Sequence, residues 1–340
     1  MSTRLPALAA AVAFVATLLL TPLVRLGARR WGFLDRPNER SSHSRVVPRG
    51  GGVAILGGVG LSLAVARGPW SPAPAAVALL TGMLVLAVVG LCDDRLGLSP
   101  AVRLGVHLAV AAGFVSVAGA FDRLPLPPPL DVPLGPAGPA VSVLWIVAVV
   151  NFYNFMDGID GLASLQAMVT GAGIALAGFD PFASFLGAAL AGAAAGFLPF
   201  NWSPASLFLG DVGSGVLGFA LAALPLLAAP AARPSMVHLV ALSLWLFLAD
   251  ATWTLLRRMT RGERLHQAHR EHLYQRLVST GWSHARVSGG MGLAAAILTV
   301  AALVALPPVQ PPVRWLAVLV ALTVLAAEIA LVAHRERRRA

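Results

Sequence analysis

Asp93 and Asp94 stand side by side in "LCDDRLG", Asn151, Asn154, Asp157 and Asp160 follow at three-residue steps in "NFYNFMDGID", and Asp211 lies in "LFLGDVGSG". Carboxylates and amides are hard oxygen donors. With no Cys and no close His pair among them, they suit Mg²⁺, or alternatively Mn²⁺, better than zinc. Glycines flank the acids in "MDGIDGL" and "LGDVGSG", letting backbone approach a ligand closely and presenting N–H groups at helix starts to an anion. Arginines in the neighbouring stretches add donors that fit phosphate oxygens. A divalent cation with phosphate points to phosphoryl-transfer chemistry.

The surrounding chain is that of a membrane protein. Of 340 residues, 57% are hydrophobic and 12% charged, with a mean hydropathy of +0.78; soluble domains have roughly 45–50% apolar and 25% charged residues. The sequence predicts an all-α, polytopic integral membrane protein with about eleven transmembrane helices, ten being the alternative count. The spans are expected near 5–27, 51–66, 75–92, 102–121, 140–156, 161–178, 182–200, 213–229, 236–256, 286–306 and 313–333. The first is expected to stay as a helix, since Pro22 and Arg25 lead into "ARRWG" without a small-x-small cleavage pattern. With a periplasmic N-terminus and a cytoplasmic C-terminus, twenty of the twenty-five arginines fall on the inner side, as the positive-inside rule requires. A net charge of +10 is thereby explained by topology. The arginines form no continuous basic stripe with interleaved aromatics, so nucleic acid is not an expected partner. Cys92 is the one cysteine, which excludes an internal disulfide framework. Gly192 and Gly196 in "GAALAGAAAGF" are spaced for close helix packing. One polytopic domain, 1–340, is expected, with its motif-bearing region at 31–285.

In this topology every inner loop carries carboxylates. Asp160 and Asp211 precede spans and read either as helix N-caps or as site residues. Asp93 and Asp94 instead end a span, two like charges at the negative end of a helix, and need a compensating cation, either arginine or a metal. Asn151 and Asn154 lie on one side of a helix where unpaired amides are costly. A cation and a phosphate at a membrane face imply a phosphorylated lipid, or a nucleotide reacting with one.

"DDRLGLSPAVR", "NFYNFMDGIDGL" and "LFLGDVGSGVLG" occur in that order, preceded by "DRPNERSSHSRVVPRGGG". Together they resemble the polyprenyl-phosphate N-acetylhexosamine-1-phosphate transferase family, which includes the enzymes that start O-antigen synthesis and the phospho-MurNAc-pentapeptide transferase. The resemblance covers about residues 31 to 285. It implies that Asn154 and Asp211 hold a catalytic Mg²⁺, that Asp93 and Asp94 are the essential acidic pair, and that Arg103 binds phosphate. Asp160 matches a nucleoside-contacting position, and Asp157 lines the same cleft. The substrates it implies are undecaprenyl phosphate in the lipid bilayer and a UDP-N-acetylhexosamine, at a bacterial inner membrane with the site facing the cytoplasm. Homodimers occur in the family.

The chain departs from the family where adjacent histidines are usual: "RLHQAHREHLYQRL" spaces His266, His269 and His272 three apart. This stretch is closer to the O-antigen branch than to the pentapeptide branch, and substrate contact or zinc binding are both open to it. His43 and Arg49 in the first loop reach substrate or serve topology alone, and Tyr274 and Arg276 are candidates to shape the sugar pocket. The expected reaction is attack of the lipid phosphate oxygen on the β-phosphorus of the UDP-sugar with release of UMP. Asp93 or Asp94 takes the remaining proton of the lipid phosphate or only positions it. A cation-coupled transporter would instead place its carboxylates near mid-span, where only Asp250 and Glu328 fall; Asp250 is expected to pair with Arg257 or Arg258.

Overall fold

The computed structural model describes residues 4–37, 45–65, 73–263, 270–307 and 311–339; His43, His266 and His269 lie outside them. Thirteen α-helices make up the described residues: α1 (Arg4–Arg30), α2 (Gly52–Val65), α3 (Pro74–Leu96), α4 (Pro100–Ala118), α5 (Gly138–Met156), α6 (Leu162–Ala177), α7 (Pro181–Asn201), α8 (Gly210–Ala223), α9 (Arg233–Ser243), α10 (Trp245–Thr260), α11 (Leu273–Ser279), α12 (His284–Val304) and α13 (Pro311–Arg337). Their starts follow from local chemistry. Ser99, Asp180 and Ser283 each accept the N–H three residues on, and proline opens α3, α4 and α7 where its missing N–H costs nothing.

All eleven predicted spans fall on helices. Among the described residues, eight helices are long and apolar enough to cross a membrane by themselves, and α9 with α10 makes a ninth if that pair, bent by 71°, is one span. The predicted spans 51–66 and 161–178 are the 14-residue α2 and the 16-residue α6, shorter than a full crossing requires. Burial sorts the bundle: α7 and α8 are 83% and 78% buried along their apolar windows, whereas α4 and α13 are each 22% buried. The centre is therefore α7 and α8, and the rim turns leucines and valines outward, which a lipid surround accepts. Close packing at Gly192 and Gly196 is present. A Cβ on either would overlap a carbonyl oxygen of α1, that of Ala10 or Phe14.

One small piece of sheet matters for the site. β1 (Leu34–Asp35) pairs antiparallel with β2 (Val47–Pro48). Beyond β2 the chain runs beside the residues entering α8: Phe208 N–H donates to Pro48 O, Gly51 N–H to Phe208 O and Gly52 N–H to Leu209 O, each at 2.9 Å. The Arg-Gly-Gly stretch of the first loop is thereby fastened to the strand-like approach to Asp211.

Candidate active site

The last turn of α3 buries two adjacent carboxylates, Asp93 and Asp94, 5% and 3% exposed. Each has its own arginine. Arg103, across the tight turn at Gly97, donates from Nη1 to Asp93 Oδ2 at 2.8 Å, and Leu98 N–H donates to Asp93 Oδ1 at 2.7 Å. Arg49 Nε lies 3.4 Å from Asp94 Oδ1, and its Nη2 donates to the Asp94 backbone carbonyl. An arginine thus stands beside each acid. Asp94 also accepts the Asp211 N–H at 3.2 Å, so a carboxylate at the negative end of α3 rests on the positive end of α8. Asp94 Oδ2 is buried without a partner among the described residues. This contact needs Gly210, whose φ of +76° suits glycine and whose Cβ, if present, would press on that carboxylate.

Asp211 and Asp160 are not N-caps: those positions at α8 and α6 belong to Leu209 and Gly161. Asp211 lies in the first turn of α8, where it meets the last turn of α5. Asn154 Nδ2 donates to Asp211 Oδ1 at 2.6 Å and to Ser214 Oγ at 2.9 Å. Asn151, one turn earlier, donates to the Val147 carbonyl and meets His107 Nδ1 on α4 at 3.2 Å. Asp93, Arg103, His107, Asn151, Asn154 and Asp211 line one open pocket among α3, α4, α5 and α8. His107 and Ser214 are neighbours that none of the sequence motifs singles out. Ser214, three residues past Asp211 on one helical face, is the one that spacing alone could have indicated.

Two further acids sit in the loop after α5. Burial first, then the charges of Asp211, Asp94 and Asp160, pushes the Asp157 carboxyl well above its usual range. Burial acts upward on Asp160 too, but hydrogen bonds from His284, the Ala205 N–H and Ser203 outweigh it and hold the carboxyl below its usual value. His284 Nδ1 lies 3.3 Å from Asp160 Oδ2, and Ser288 Oγ donates to the Asp160 carbonyl at 2.7 Å. Asp160 thus joins the loop to the start of α12. The Asp157 shift carries a sign that can be checked. The unfolded chain releases this proton near about pH 4 while the folded chain keeps it, so stability falls as pH rises through the interval between the two values. In cation-free detergent, Asp157→Asn should raise the melting midpoint at about pH 8 and leave it nearly unchanged at about pH 4; an equal effect at both would refute the assignment.

His272 is buried, with Nδ1 3.1 Å from Asp250 Oδ1. The expected pairing of Asp250 with Arg257 or Arg258 is not what forms. Asp250 accepts from Thr254 Oγ1 and from the Leu273 and Tyr274 N–H groups at the start of α11, while Arg258 Nη1 pairs with Glu263 and Glu271. Tyr274 donates its hydroxyl to the Phe155 carbonyl at 2.9 Å, next to Asn154, and Arg276 holds Glu336 in a bidentate pair. Both are engaged in fastening helices.

The donor set bears on a metal. Among the described residues no three His, Cys, Asp or Glu come together as ligands. Asp211 with the neutral oxygens of Asn154 and Ser214 suits a hard cation that keeps waters or phosphate oxygens for its other positions. Such a cation requires the Asn154 amide turned so that Oδ1, not Nδ2, faces it.

The fold and this pocket define a polytopic helical membrane protein with an arginine-braced carboxylate cluster where four helices meet. Residues 76–229 match the family described as Glycosyl transferase family 4. A phospho-N-acetylmuramoyl-pentapeptide-transferase of Synechococcus sp. (strain JA-2-3B'a(2-13)) is 35% identical over 290 residues, covering 80% of this chain and 84% of that protein. A decaprenyl-phosphate N-acetylglucosaminephosphotransferase of Mycobacterium tuberculosis (strain CDC 1551 / Oshkosh) is 30% identical, covering 83% and 78%. A probable undecaprenyl-phosphate N-acetylglucosaminyl 1-phosphate transferase of Bacillus subtilis (strain 168) is 29% identical, covering 80% and 77%. The chain belongs to glycosyl transferase family 4.

Proposed function

We propose that this chain transfers an N-acetylhexosamine 1-phosphate from a UDP-sugar to undecaprenyl phosphate, releasing UMP and leaving a diphosphate-linked sugar. The observation that carries the reading is the single pocket holding Asp93, Arg103, Asn154 and Asp211. Relatives named as undecaprenyl- and decaprenyl-phosphate N-acetylglucosamine phosphotransferases support it. UDP-GlcNAc is the donor favoured by those names, with 6-deoxy-N-acetylhexosamines as further candidates, and the reaction would open O-antigen or another cell-surface polysaccharide at the cytoplasmic face of a bacterial inner membrane. The 35% identical relative supports a second reading, in which the donor is the UDP-linked MurNAc pentapeptide.

Asn154 and Asp211 would hold Mg²⁺, and when bound it neutralises charge on the diphosphate oxygens. The chain's own groups do the rest. Arg103 and Arg49 each spend part of their donor set on an aspartate, yet remain 34% and 30% exposed, which leaves guanidinium edge for phosphate oxygens on both sides of the acidic pair. The lipid phosphate, with a second pKa of about 6, is largely ionised at neutral pH and needs no strong base. It attacks phosphorus in line with the departing UMP oxygen. Asp94 then acts by setting Arg49 and the start of α8. Asp94→Asn should cut turnover by roughly tenfold or more; near-normal turnover would remove Asp94 from the account.

The reading is tested by UMP release from purified protein with undecaprenyl phosphate and Mg²⁺ across UDP-GlcNAc, UDP-FucNAc, UDP-QuiNAc and UDP-MurNAc-pentapeptide. Release that requires lipid, cation and one donor supports it and names the donor. No release from folded protein with any of them counts against it.

A further inference from the structure

A second polar cavity lies at the other end of the bundle. The segment 119–137 joins the end of α4 far from Arg103 to the end of α5 far from Asn154, and its Pro125, Pro127 and Asp131 line this cavity with Ser235, His238 and Arg314. Its volume is about 40 Å³, where one water needs roughly 10–15 Å³. There is room for a small polyatomic group.

Two of the lining side chains have buried atoms left unsatisfied. His238 is 9% exposed, and among the described residues neither its Nε2 nor Nε of Arg314 has a hydrogen-bond partner. The His238 ring also hydrogen-bonds the Pro125 backbone carbonyl, so it is satisfied on one side only. Buried polar atoms without partners are uncommon and costly, and these two belong to side chains that line one cavity. The sign of a ligand there is set by the surroundings. Ser235 is in the first turn of α9 and Arg314 in the first turn of α13, so the positive ends of two helices converge where the guanidinium sits. The one acid on the wall, Asp131, is paired with Arg123 at 3.4 Å.

We propose that this cavity is an anion site for a phosphate group, held by Arg314, His238 and Ser235 and separate from the pocket at Asp211. Arg314 Nε–H has only donor character and takes a phosphate oxygen. The Ser235 hydroxyl serves as donor or acceptor, and His238 Nε2 receives a P–O–H or, once protonated, donates to an oxygen. At this end of the bundle the phosphate comes from a phospholipid headgroup or from inorganic phosphate.

The test compares the full-length wild type with Arg314→Gln, and with the milder Ser235→Ala in case the first fails to fold. Binding of radiolabelled inorganic phosphate in neutral detergent is measured by equilibrium dialysis, and phosphatidylglycerol retained per chain by native mass spectrometry. The site predicts one more bound phosphate group in the wild type than in Arg314→Gln, with affinity lowered at least about tenfold and Ser235→Ala shifted the same way. A difference in the dialysis arm identifies free phosphate, and one confined to the lipid arm identifies a headgroup. Equal binding by wild type and both variants in both arms overturns the proposal.

Discussion

Asp211→Ala is expected to lower kcat by about 10³-fold or more, the scale on which removing one charge-stabilising group acts in phosphoryl transfer, with little change in melting midpoint. The two effects separate because of where the residue sits. Its backbone N–H, which rests on Asp94, survives the substitution. The residue as a whole is only half-buried, and Asn154 keeps Ser214 as an acceptor. What is lost is the one acid that faces Asn154 across the pocket. A midpoint that falls together with activity would make Asp211 a structural residue instead, and turnover within about tenfold of wild type would remove it from the chemistry.

Asp250→Ala is expected to act the other way, mainly on stability, by about 3–5 kcal/mol. Asp250 is fully buried and is the shared acceptor for Thr254, His272 and the first two N–H groups of α11. Alanine removes the acceptor that those donors share. The docking of α11 also carries Tyr274 to the Phe155 carbonyl at the end of α5, so Asn154 loses support and activity falls as a consequence. Thermal unfolding in detergent measures this. Asp250→Asn, which retains a carbonyl oxygen, should be intermediate, and an alanine variant as stable as wild type would show that α11 is held by other contacts.

The helices and the acidic motifs are legible in the sequence because apolar runs and short-range spacing encode them. Arg103 reaches Asp93 across a turn of ten residues, near enough for one stretch, "DDRLGLSPAVR", to contain both. The partners that define the pocket come from farther away. Arg49 meets Asp94 from the first loop, and His284 meets Asp160 from the start of α12, both brought by helix packing that leaves no local periodic signal. The break at Leu244 is equally silent. "LSLWLFL" is apolar but for Ser243, has no Pro or Gly, and reads as one span, yet α9 and α10 diverge there by 71°. Asp250 and Arg257 both lie on α10, beyond that break, and the pairing expected between them does not form because Asp250 accepts instead from Thr254 and from the Leu273 and Tyr274 N–H groups, partners that come partly from α11.

The central claim is that phosphorus travels with the sugar. A UDP-N-acetylhexosamine labelled in its β-phosphorus, incubated with the purified chain, undecaprenyl phosphate and Mg²⁺, tests it directly. The label should move into the lipid-extractable product while unlabelled UMP is released, and Asp211→Ala should abolish the transfer. Label remaining in released UDP, with the sugar alone on the lipid, would contradict the account.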